Sequence, residues 1–273
     1  MSVADNRGPR ALDDKTVAEL REIADRYPEK RSGLLPMLHL AQSVEGKVTP
    51  QAIETCAEIL EISPAEVSGV ATFYTMYKRH AVGDFHVGVC TNTLCAVMGG
   101  DEIFARLKDH LDVGNDEVAE KRQGDQHSVS LEHVECNAAC DYAPVVMVNW
   151  EFMDNQTPDS AVQMVEALRT GKDVSSTRGP RLCTWREAER VLAGFPDGRV
   201  DEGPTAGPAS LVGLEIARDR GWTAPDAPSA PAVGASDSKD AAVADADTAR
   251  AESESVDESS DADESGAEKE EAK

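Results

Sequence analysis

The chain has 273 residues, a formal net charge of -24 and an aromatic content of only 4%. That length allows one or two domains with a real core, while the charge excludes nonspecific nucleic-acid binding and a basic membrane-surface patch. No apolar run approaches the ~18 residues of a transmembrane helix. Residues 1–14 show neither the apolar centre of a signal peptide nor an Arg/Ser-rich transit pattern, so a soluble, cytosolic protein is expected.

Residues 14–80 read as a region of short helices. Val17, Leu20, Ile23, Ala24 and Tyr27 recur at helical spacing until Pro28. A second helix is expected over Leu34 to Glu45, with Pro36 in its first turn and Gly46 as its C-terminal cap. Thr49-Pro50 opens a third, whose apolar stripe includes Ile53, Cys56, Ala57 and Leu60 and so assigns Cys56 to the core. Ser63-Pro64-Ala65-Glu66 is a capping box for a fourth. The run from Ala71 to Tyr77 then gathers Phe73, Tyr74 and Tyr77, either as a packing plug or as a docking surface for a partner.

Residues 81–172 change character. A strand over Phe85 to Val89 ends at Cys90, a helix is expected from Met98 to Leu111, and a polar loop leads to a second strand over Val129 to Cys136. The alternation of that strand breaks at His133-Val134, which suggests a bulge. Ala143-Pro144 introduces the buried-strand run Val145 to Asn149, Trp150 to Asp154 is a return strand, and Thr157-Pro158 caps a last helix closed by Gly171. The expected architecture is α/β, a helical N-terminal region followed by a small sheet with helices against it.

Two cysteine pairs organise this region, Cys90 with Cys95 and Cys136 with Cys140. Each pair follows a strand, so two stiff elements can hold four sulfurs around one point. The leading interpretation is a two-iron iron–sulfur cluster. Competing readings are a single structural zinc, for which the four-residue spacer is roomy, two disulfides, and four unrelated buried thiols. Cys95 would lie near a helix N-terminus, where a thiolate is favoured. His86, His127 and His133 are near enough in sequence to raise a Rieske-type centre, but four cysteines already complete a ligand set, so these read as packing or surface residues. Thr91, Asn92, Thr93 and Asn137 can donate hydrogen bonds to sulfur, and Asp141 beside Cys140 would lower a cluster's potential unless it is merely a surface acid.

Residues 173–223 carry a short helix from Thr184-Trp185 to Gly194, a lone Cys183 without a ligand role, and a further helical stretch over Leu211 to Arg220. Residues 224–273 are mostly Ala, Pro, Ser, Asp and Glu, with 15 acidic against 4 basic residues, and are expected to be a disordered tail. No GxGxxG or P-loop motif occurs, so no nucleotide site is assigned.

From about Lys15 to Lys172 the chain resembles the thioredoxin-like two-iron ferredoxin family, of the kind found as the E subunit of proton-pumping NADH:quinone oxidoreductase (respiratory complex I). The likeness rests on the helical N-terminal region, Ala71-Thr72-Phe73-Tyr74, the two cysteine pairs, and Ala143-Pro144 with Val148-Asn149. It implies a thioredoxin-like [2Fe-2S] domain over 81–172 with Cys90, Cys95, Cys136 and Cys140 as ligands. It also implies a role in electron transfer within a larger assembly. The cluster would exchange electrons with the FMN of a partner that binds NADH, beside a large iron–sulfur subunit, in the peripheral arm at the inner face of the plasma membrane. Enzyme activity would belong to the complex, with no NADH or flavin site on this chain. Related diaphorase modules occur in NAD-linked hydrogenases and formate dehydrogenases, and a zinc-stapled adaptor is the alternative from another class. The segment after Lys172, lying outside the likeness, is assigned as a partner-docking extension, with Trp185 and Trp222 as apolar handles alongside Tyr74, Met76 and Tyr77.

Overall fold

Local signals start and stop each of the first four helices. In the computed structural model, which describes residues 12–204 and 206–223, Asp13 accepts a hydrogen bond from the Thr16 N–H at 2.8 Å and opens α1 (Asp14–Asp25). A 3-10 turn at Lys30–Gly33 leads into α2 (Leu34–Glu45), which ends on Gly46 at φ 78°, a left-handed cap that suits glycine. Thr49 caps α3 (Pro50–Leu60), and Ser63 with Glu66 forms the capping box of α4 (Pro64–Phe73). Leu20, Ile23, Leu38, Leu40, Ile53 and Cys56 meet in one core with α2 at its centre. Tyr77 joins this core, with its hydroxyl donating to the Leu35 carbonyl at 3.0 Å. Phe73 is 78% exposed and Tyr74 42%, so the aromatic run divides: Tyr77 is packing, not an exposed handle.

A five-stranded sheet follows, in the order β2-β3-β1-β4-β5. Its members are β1 (Phe85–Cys90), β2 (Glu117–Val118), β3 (Val129–Val134), β4 (Val146–Val148) and β5 (Glu151–Met153). β1 runs parallel to β3 and antiparallel to β4. Between β1 and β2 lie two helices, α5 (Thr93–Val97) and α6 (Gly100–Leu111); α7 (Pro158–Arg169) follows β5. The expected helix from Met98 is therefore two, divided at Gly99 (φ 111°). Alternation along β1 sorts its two faces. Phe85, Val87 and Val89 pack with Ile103 and Leu107 of α6 and with Val165 and Leu168 of α7.

His86 lies on the other face with Gly88 and Cys90. It bonds Ser130 at 2.8 Å and Glu132 at 2.9 Å. No bulge interrupts β3: the pairing with β1 runs one for one through Cys90 and Val134. The apparent break in its alternation is chemical. Ser130 and Glu132 are buried because Lys78 and His86 satisfy them, His133 edges against Phe104, and Val134 turns towards Cys90.

The extension supplies α8 (Trp185–Leu192), which is integral to the body. Trp185 is 2% exposed, against the expectation of an exposed handle; its ring lies 5.4 Å from His86 and 5.6 Å from Trp150. Glu189 is fully buried and accepts hydrogen bonds from His39, Gln42 and Trp150 at 2.6, 2.7 and 3.0 Å, which satisfies a carboxylate that would otherwise be costly to bury. A last helix, α9 (Pro208–Asp219), begins three residues before the expected stretch. Of the described residues, 217–223 belong to a separate unit, in which Trp222 is 62% exposed beneath the Arg220 guanidinium. The acidic stretch 224–273, expected to be disordered, lies outside the described residues. Among the described residues no helix is long and apolar enough to cross a membrane.

Candidate metal centre

The parallel pairing of β1 and β3 sends both strands out at the same edge of the sheet, the carboxyl edge where open α/β sheets hold their ligands. Cys90 is the last residue of β1, and Cys136 follows two residues after β3 ends. The Cys90 N–H donates to the Val145 carbonyl at 3.1 Å, and the Asn92 N–H bonds the Cys90 thiol. Cys95 sits inside α5, buried and within hydrogen-bonding reach of Cys90, rather than ahead of a helix beginning at Met98. The start of α6 presses on this loop. A Cβ at Gly100 would lie 2.4 Å from the Cys90 carbonyl oxygen and 2.9 Å from that of Cys95, so no larger residue fits.

The second pair faces solvent. Cys136 and Cys140 are exposed, with their sulfurs 3.7 Å apart. Ala138 between them is left-handed at φ 54° and turns its N–H onto the Cys136 sulfur at 3.3 Å. Such a backbone costs an alanine about 1 kcal/mol, a local strain set directly at the thiol. Cys140 opens a 3-10 turn, Cys140–Tyr142, and the cis bond Ala143-Pro144 leads on to β4. Beneath both loops Cys90, Cys95, Ala139, Ala143, Val145 and Met147 form a small apolar cluster of their own.

The thiols act on one another. Burial pushes the Cys90 thiol up to about 11, and the charges of Cys95 and Cys136 add to it. Cys140 is raised first by its hydrogen bond with Cys136, then by burial, then by the charges of Cys136, Cys90 and Asp141. Four thiolates cannot gather here on their own, and the positive charge of a metal is what would let them ionise together. Two sulfurs on one tetrahedral metal, each at about 2.3 Å, lie about 3.8 Å apart, close to the Cys136–Cys140 separation. Among the described residues no three His, Cys, Asp or Glu side chains converge as they would on one ion.

Residues 20–169 match the family model described as thioredoxin-like [2Fe-2S] ferredoxin. The chain belongs to this family. Its curated relatives include the E subunit of NADH-quinone oxidoreductase from Mycobacterium tuberculosis, 52% identical over 227 residues, an alignment covering 81% of this chain and 88% of the relative. The protein of that name from Rickettsia bellii is 36% identical over 162 residues, covering 58% of this chain and 94% of the relative. An alignment covering 81% of the chain necessarily runs through the segment after Lys172, whereas the Rickettsia protein is matched almost end to end by little more than half of the chain. Among solved structures, an NAD+-reducing [NiFe]-hydrogenase in the air-oxidised state is similar at a TM-score of 0.44 and 17% identity. That match covers 51% of this chain and 23% of the hydrogenase chain, so the present chain spans less than a quarter of it.

The other cysteines of this family member stand apart from the site. Cys56 is fully buried in the helical core, where burial pushes its thiol up to about 12, and Cys183 is half-buried, pushed up to about 11 by the same cause. His86 is committed to Ser130 and Glu132, His127 edges against Phe85 at 5.2 Å, and His133 against Phe104 at 6.0 Å. The side chains of Asn92 and Asn137 bond Glu135, so the contacts to sulfur come from the backbone of Asn92 and Ala138. Asp141 is an exposed surface acid, and it is partnered: the Ser210 hydroxyl donates to its carboxylate and holds it below the usual range, with Arg178 3.7 Å away. Arg178, Tyr142 and Ser210 carry no motif that would single them out in the sequence.

Proposed function

We propose that Cys90, Cys95, Cys136 and Cys140 would hold one [2Fe-2S] cluster. The observation that carries this is the arrangement of four thiols as two pairs at one sheet edge, with 3.7 Å between Cys136 and Cys140. The four-residue spacer between Cys90 and Cys95 is roomy for a single zinc, which favours iron over the zinc adaptor. When bound, the cluster supplies one-electron exchange. The chain's own part is to orient the sulfurs from β1, α5 and the Cys140 turn, to exclude water beneath them with Val145 and Met147, and to donate the Asn92 and Ala138 N–H groups to sulfur. Those bonds stabilise added negative charge, while the all-cysteine set keeps the potential below that of a histidine-ligated centre.

At the level of the assembly, the chain is an electron-transfer component of an NADH:quinone oxidoreductase, the activity its relatives' names carry. Its partners are a flavin subunit that binds FMN and NADH, together with a large iron–sulfur subunit, in a peripheral arm on the inner face of the membrane. Leu94, Val97 and Met98 around the first cysteine loop are 46%, 79% and 56% exposed, an apolar rim that suits burial against a protein partner. Purification of the native assembly under mild conditions tests this: the chain is expected to migrate with bound flavin and iron, and a free monomer without flavin would refute it.

A further inference from the structure

Two separate parts of the extension grip the residues that directly follow Cys140. Arg178 forms a two-point pair with Asp154, at 2.7 and 2.8 Å, and its guanidinium lies over the rings of Tyr142 and Phe152 at 4.9 and 4.8 Å. Its Nη2 stands 3.7 Å from the Asp141 carboxylate. From the start of α9, the Ala209 N–H donates to the Tyr142 hydroxyl at 3.0 Å and the Ser210 hydroxyl donates to Asp141. A Cβ at Gly207 would lie 2.2 Å from the Tyr142 oxygen, so the chain passes as close to that ring as glycine allows. The Arg178 side chain is only 15% exposed and that of Asp154 8%, which removes this pair from the solvent screening that makes surface ion pairs weak.

Cys90 and Cys95 are fixed by a strand end, two helices and a packed floor, while Cys136 and Cys140 have a strained loop open to water. The grip on Asp141 and Tyr142 supplies what that loop lacks. We propose that Arg178, together with the Gly207–Ser210 segment, is a clamp that positions the Cys140 turn and offsets the negative charge of Asp141 and Asp154 beside it. This rests on the reading that the four cysteines hold the cluster. Arg178 is a positioning residue that touches no ligand atom. Its charge offsets Asp141 and Asp154 and favours the reduced state of a nearby centre, since net local charge sets the potential of such clusters.

The test uses the full-length chain purified anaerobically with its iron. An electron paramagnetic resonance redox titration gives the midpoint potential, and uptake by a ferrous chelator gives the rate of iron release. Arg178→Gln is expected to lower the potential and speed release several-fold. Arg178→Lys keeps the charge but not the planar fork or the stacking, so it should hold the potential while release stays fast. Ser210→Ala removes only an exposed contact and should speed release by less than Arg178→Gln. Unchanged potential and release in Arg178→Gln overturn the clamp. If that variant does not fold, unchanged release in Ser210→Ala overturns it. A Lys variant whose potential falls as far as that of Gln removes the charge argument. Wild-type protein without two irons would sink the four-cysteine reading and the clamp with it, whereas loaded wild type with indistinguishable variants sinks the clamp alone.

Discussion

The two cysteine pairs reach one edge of the sheet by different routes. Cys90 and Cys95 are 2% and 3% exposed, held by β1, by α5 and by the close approach of Gly100, all within about ten residues of chain. Cys136 and Cys140 are exposed on a loop with a left-handed alanine, and the contacts that steady it come from positions far along the chain, Arg178 and Ala209–Ser210. Burial fixes the first pair by packing, while the second depends on long-range ties. The proposed ligand set would therefore be half preorganised by the body of the fold and half by a segment that shorter relatives have little room for.

The largest effect is expected from removing a thiolate. Cys90→Ala and Cys136→Ala should both lose the bound iron, measured per chain by metal analysis, because neither Cys56 nor Cys183 shares the site. Loss from the buried pair alone would break the claim that both pairs serve one centre.

A smaller effect is expected at the packed loop. Gly100→Ala puts a methyl 2.4 Å from the Cys90 carbonyl oxygen, so the backbone of α6 or of the loop must shift. Overpacking of this kind costs about 1–3 kcal/mol, readable in urea unfolding. The same variant should release iron faster, which sharpens the contrast by showing that the first pair is held by packing. Unaltered stability and release would contradict it.

The smallest is expected at Cys56. Its removal in Cys56→Ala should cost about 1 kcal/mol near neutral pH and leave iron content unchanged. Its thiol is raised from 9.0 to about 12 by burial, so the folded state favours the neutral form. That contribution is whole below pH 9, where the unfolded thiol is also neutral, and is lost as the pH rises from 9 towards 12. The advantage of wild type over Cys56→Ala in urea unfolding should shrink across that window; a constant difference would contradict the assignment.

Much of this was readable in the sequence because its causes are local. The caps at Thr49, Ser63 and Thr157, the stop at Gly46 and the spacing of the cysteines all operate within a few residues. What was hidden depends on distant partners. Trp185 and Tyr77 look like handles until the helices that cover them are in place, and β3 looks bulged until Lys78 and His86 explain why Glu132 turns inward. β2 has two residues and no periodicity to read, and α5 merges with α6 unless Gly99 is known to be left-handed. At the candidate site, the four cysteines stand out by their spacing, but the N–H groups on sulfur and the Arg178–Tyr142–Ser210 ties do not, since backbone direction and contacts made across a folded chain leave no motif.

Electron paramagnetic resonance of the dithionite-reduced, full-length chain tests the central claim most directly. A single axial or rhombic two-iron signal with two irons per chain is expected, retained in Cys56→Ala and Cys183→Ala and absent in Cys136→Ala. Two irons kept in Cys136→Ala, or stoichiometric zinc in the anaerobically purified wild type, would contradict it.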